Sequence, residues 1–158
     1  MILTGEKGMK KIIAAALAAL TIILLLTGCG KKEIDATKLS AELLENGSFA
    51  ETLTEVNENV TKKRLNLDDS EVEMCASFKG TNAVVDEIII IKTSDTDSVQ
   101  EKIQKYVQSQ IEQYASYRAS EVPKLENAVI YVAKNTVVYC ASVNSDKAMK
   151  IITEHESN

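Results

Sequence analysis

"VVDEIIIIK", Val84 to Lys92, places four consecutive isoleucines behind two adjacent carboxylates. Side chains on a strand alternate between its faces, so this run is apolar on both and suits a central strand. The strand reads from Ala83 to Lys92, entered through a Gly80-Thr81-Asn82 turn. Upstream, Val72, Met74, Ala76 and Phe78 alternate with Glu71, Glu73, Cys75 and Ser77, the pattern of a half-buried strand. Downstream, Asn127 to Ala133 and Thr136 to Ser142 flank a Lys134-Asn135 turn, which signals a hairpin.

Helical spacing fills the intervals. Asp35 is a good N-cap, with Ile34 and Leu39 spaced as a hydrophobic staple, Leu39, Leu43 and Leu44 as the stripe, and Asn46-Gly47 as the stop. Ser48 to Val56 suits either a helix, through Phe49, Leu53 and Val56, or a short edge strand, through Thr52 and Thr54; the strand is preferred. Asn57 to Leu65 reads as a short helix with Val60 and Leu65 inward. Asp97 as N-cap, with Gln100 three residues on, opens a long helix whose stripe is Val99, Ile103, Tyr106, Val107, Ile111 and Tyr114. Pro123 falls in the loop that follows, and Ser145 caps a last short helix carrying Met149 and Ile152. The sum is an α+β domain in two layers, an antiparallel sheet of about four to five strands covered by one long helix and shorter flanking helices. It occupies residues 34–155, ahead of a tail at 156–158.

The N-terminus has a different character. Ile12 to Leu26 is a run of 15 residues, apolar but for Thr21, behind Lys7, Lys10 and Lys11. It is short of the about 20 residues a permanent span needs, and its layout is that of an export signal over residues 1–28. Met9-Lys10-Lys11 and the run form a complete signal alone, which makes Met9 a candidate start. Leu26-Thr27-Gly28-Cys29 closes it and resembles the lipobox of bacterial lipoproteins. The resemblance implies that Leu26, Thr27 and Gly28 are read by the signal peptidase. It also implies that the chain is cut before Cys29 and that the Cys29 sulfur carries a diacylglyceryl group. Two acyl chains anchor stably where one gives only marginal binding. Residues 29–33 are then the lipidated cysteine and a short polar tether, Lys31-Lys32-Glu33.

Setting residues 1–28 aside removes three Lys and one Glu, leaving 15 basic and 22 acidic side chains, a net charge of −7 against −5 for the whole chain. That sign argues against nucleic acid as a partner and against a polybasic grip on anionic lipid.

Residues that carry chemistry are few. His155 stands three places from the end and reads as solvated, so neither a zinc site nor a His-dependent triad is expected. Asp95-Thr96-Asp97 opens like a calcium loop, but Gln100 and Tyr106 stand where the loop needs Gly and Glu, and helix capping explains the same residues. Asp86 and Glu87 are paired carboxylates that a strand sends to opposite faces. Tyr106, Tyr114 and Tyr117 read as a packed face with wet hydroxyls rather than a sugar platform. Cys75 and Cys140 are expected as free, largely buried thiols, with no cofactor beyond the lipid on Cys29.

The lipobox, "VVDEIIIIK" (84–92), the polar helix after it and "VPKLENAVIYVAKNTVVY" (122–139) together make the chain similar to domain of unknown function 4358. That family comprises small lipoproteins mainly of Clostridia and relatives. Over roughly Ile34 to Ile152 the resemblance implies an address and a fold, and it assigns no catalytic residue. The chain is therefore expected to be lipid-anchored on the outer face of a bacterial cell membrane. Its partners are membrane lipid and a protein or small molecule still to be identified. A binding or interaction module is the favoured reading; a cell-envelope enzyme working through Asp86 or Glu87 and a structural accessory subunit are the alternatives.

Overall fold

The computed structural model describes residues 31–157. The expected signal segment and Cys29 lie outside the described residues. Elements follow the order α1 (Ala36–Asn46), β1 (Thr54–Glu55), α2 (Glu58–Leu65), β2 (Met74–Lys79), β3 (Glu87–Lys92), α3 (Thr96–Tyr117), α4 (Val122–Glu126), β4 (Val129–Val132), β5 (Thr136–Ala141) and α5 (Ser145–Ser157).

The strands form one five-stranded sheet in the order β1-β2-β3-β5-β4, with every neighbouring pair antiparallel. The isoleucine strand β3 is central, as its composition requires, though it begins at Glu87 rather than Ala83. The residues before it are held by other contacts: Gly80 N–H donates to the Asp86 carbonyl, and Val85 N–H donates to Glu121. Strands β3 and β4 run parallel on either side of β5, so their connection is a crossover, supplied by α3 and α4.

The α+β class is as read from the sequence, but helices cover both faces of the sheet and make three layers. On one face Ile88, Ile90, Val138 and Cys140 pack against Leu39 and Leu43 of α1 and Ala148 and Ile152 of α5. On the other, Ile89, Ile91, Val137 and Tyr139 pack against Val99, Ile103 and Val107 of α3, with Leu65 and Leu125 alongside. All four isoleucines are fully buried, a state that contributes roughly 1.5–3 kcal/mol per side chain. A single helical layer would have left two of them in water.

The second layer also changes β2. Met74, Ala76 and Phe78 meet α1 as expected, while the face assigned to solvent lies under α2 and α3, with Ser77 buried and Cys75 half-buried. In α2 the inward pair is Thr61 and Leu65, one turn apart, and Val60 is exposed. Leu44 likewise leaves the stripe of α1 and reaches solvent.

Caps explain most helix boundaries. Asp35 accepts hydrogen bonds from the N–H groups of Thr37 and Lys38, and Ile34 and Leu39 are both buried beside it. The long helix is capped by Asp95, which accepts from Ser98 N–H at 3.0 Å, so Asp97 lies within the first turn, where its charge suits the helix dipole. At α5 it is Asn144 that accepts from Lys147 N–H, and Ser145 is the first helical residue. Pro123 is not in an open loop: it stands in the first turn of α4, where a missing N–H costs nothing.

Candidate functional site

The two carboxylates at the head of β3 are the most deeply buried charged groups described. Asp86 is fully buried, and its partners are Ala50 N–H at 3.2 Å and the Lys124 ammonium at 3.3 Å. Lys124 also pairs at 2.6 Å with Glu121, which immediately precedes α4. Glu87 points to the α3 face, where it accepts from Arg64 at 2.6 Å and from the Tyr106 hydroxyl at 2.8 Å, with Lys79 at 4.0 Å. The Arg64 guanidinium also stacks 5.0 Å from the Tyr106 ring centre and donates to its oxygen.

Strand alternation sends the carboxylates to opposite faces, as their adjacency requires, and each is sealed among internal partners. Neither is open to a substrate, so the arrangement holds strands to helices rather than presenting an acid and a base. Burial, followed by the charge of Glu87, pushes the Tyr106 phenol well above its usual range and keeps it a neutral donor. Tyr114 is buried and donates to the Val84 carbonyl at 3.2 Å, so the hydroxyls of these two tyrosines are internal rather than wet. Tyr117 alone of the three is exposed.

His155 is not a solvated tail residue. It lies in α5, and its Nε2 is 2.6 Å from the Glu42 carboxylate of α1, which clips the two helices of that layer together. The Asp95 side chain caps α3, taking the N-cap role that the sequence pattern gives to Asp97. Among the described residues no group of three His, Cys, Asp or Glu side chains is placed to hold a metal ion.

The thiols are free, and geometry shows why. Cys75 lies on β2 facing α2, beside Thr61, whereas Cys140 lies on β5 facing α1 and α5, with β3 between their strands. Two inter-strand spacings amount to about 9.6 Å, beyond the ~7 Å limit for a bridge. Burial pushes the Cys75 thiol up to about 11 and the Cys140 thiol up to about 12.

Of the predicted anchor residues, Leu26, Thr27, Gly28 and Cys29 lie outside the described residues. The tether that follows them is described, and it is not loose. Lys31 Nζ donates to the Val132 carbonyl at 2.6 Å, and Lys134 N–H donates to the Lys32 carbonyl at 3.4 Å. Glu33 pairs with Lys92 and accepts from Asn135 at 3.3 Å. Beside these contacts Glu33, Ile34, Asp35, Ala36, Met74 and Lys92 line a cleft of about 410 Å³. Its Lys92 and Glu33 charges are already paired with each other. The tether's partners lie 59 to 102 residues away in the chain, and no local pattern announces them.

These features define an α+β domain whose central strand carries buried, internally paired carboxylates and whose N-terminal segment is fastened to one end of the sheet. The chain belongs to the family described as Domain of unknown function (DUF4358), which matches residues 45–142. That span holds all five strands and α2 to α4, and is shorter at both ends than the resemblance read from Ile34 to Ile152. No curated protein and no solved structure matches the chain.

Proposed function

We propose that the chain is a lipid-anchored extracytoplasmic protein, a binding or interaction module held on the outer face of a bacterial cell membrane through Cys29. The observation that carries this reading is the four-residue Leu26-Thr27-Gly28-Cys29 box at the end of a basic-flanked apolar run. Among the described residues no helix is long and apolar enough to cross a membrane, and a lipid on Cys29 supplies an anchor without one. The family carries no assigned activity, and Asp86 and Glu87 are closed to substrate, so interaction is favoured over carboxylate catalysis. The partner is a protein or small molecule, and the acidic balance of the mature chain disfavours nucleic acid.

The test is Cys29→Ser in the producing bacterium. The variant should remain an uncleaved precursor and take up no radiolabelled fatty acid. Normal labelling and cleavage of the variant would refute the anchor.

A further inference from the structure

We propose that the end of the sheet formed by Lys92 and the Ala133–Thr136 turn is the membrane-facing end of the domain, its polar surface lying against lipid headgroups. This rests on the anchoring of Cys29 proposed above. An ordinary lipoprotein tether would let the domain tumble, because a flexible linker explores many orientations. Here the linker is consumed by the fold. Lys31 is tied to Val132, Lys32 to Lys134, and Glu33 to both Lys92 and Asn135.

Only Gly30 separates Cys29 from the first tied residue. A two-residue step spans at most about 7 Å, so the lipid-bearing backbone cannot move far from this end of the sheet. The exposed polar side chains at this end, Lys32 and Lys134 among them, suit the polar headgroup layer.

The same geometry points the other end outward. Helix α3 starts at the anchored end, where Thr93 N–H meets the Asn135 carbonyl at 2.9 Å. It finishes at the head of β3, where Arg118 donates to the Ala83 carbonyl at 2.6 Å. A helix of 22 residues spans about 33 Å. The end that carries the exposed residues Thr81, Asn82, Ala83, Val143 and Asn144 is therefore the surface presented to a partner, and the hairpin turn is the surface hidden from one.

The experiment uses the full, lipidated chain in vesicles of neutral phospholipid carrying a nitroxide on the headgroup. Cys75→Ser is the background, and a fluorophore is placed at Lys134→Cys or at Asn82→Cys, both exposed positions. Quenching at 134 should exceed that at 82 several-fold. Insertion of about ten Gly/Ser residues between Gly30 and Lys31, which adds roughly 17 Å of flexible reach, should bring 134 down to the level of 82 while the protein stays bound. Equal quenching without the insertion, in protein that floats with the vesicles, overturns the orientation alone. Strong quenching at 134 that survives the insertion overturns the role of the short tether. Protein that does not float overturns the anchor, and this inference with it.

Discussion

Arg64 Nη2 lies 2.6 Å from the Glu87 carboxylate, a side chain only 1% exposed. The contact links α2 to the central strand and gives the buried Glu87 charge its nearest cation, with Lys79 more distant at 4.0 Å. Arg64→Met should destabilise the domain by about 3–5 kcal/mol, because it removes the nearest cation from a buried carboxylate. Arg64→Met with Glu87→Leu should recover most of that loss. Urea unfolding of the two variants decides it: if the double variant is as unstable as the single one, the pair is not what sets the cost.

Glu71 is one source of acid sensitivity. Its carboxylate accepts from Lys102 at 2.5 Å, Asp68 N–H at 2.8 Å and Ser98 at 2.8 Å. These contacts, Lys102 foremost, hold it down at about 2 instead of the ordinary 4.5. A carboxylate lowered on folding stabilises the native state above its unfolded value and loses that effect as pH falls through its folded value. Stability should therefore drop between about pH 4.5 and pH 2, and Glu71→Gln should make the drop shallower. Parallel curves for the two proteins in a thermal series across that range would count against this assignment.

The thiols give a chemical readout. In a soluble fragment from Glu33 onward both should react slowly with a thiol reagent at neutral pH, Cys140 more slowly than Cys75, since burial raises both and only Cys140 is fully enclosed. Unreduced and denatured, the fragment should titrate as two thiols. A count of zero would mean that the chain bridges residues now on opposite faces of the sheet.

Gly47 ends α1 through space rather than through an unusual backbone angle. A Cβ there would stand 2.4 Å from the Leu43 carbonyl oxygen and 2.6 Å from the Phe49 ring. The carbonyl belongs to the helix and cannot yield, so Gly47→Ala should cost roughly 1–3 kcal/mol, in the range of overpacked cores. An unchanged unfolding midpoint would show that the chain relaxes there freely.

The features legible in the sequence are those set by neighbours. Four adjacent isoleucines mark the central strand, Asp35 caps the helix that follows it, and Lys134-Asn135 turns the last hairpin. Periodicity and capping act over a few residues, so they survive without knowledge of the fold. Where two caps competed, as Asp95 and Asp97 did, local pattern chose the wrong one, because only the backbone path decides which side chain reaches the free N–H. The Leu26–Cys29 box is local as well.

Tertiary structure decided what depends on which segments meet. Nothing near Glu87 foretells Arg64 or Tyr106, and nothing near Lys31 foretells Val132, 101 residues on. The second helical layer, the separation of Cys75 from Cys140 and the fastening of the tether all follow from the strand order β1-β2-β3-β5-β4. That order is set by the packing of apolar faces across the whole chain, where several pairings satisfy the local pattern and burial on both sides of the sheet selects one.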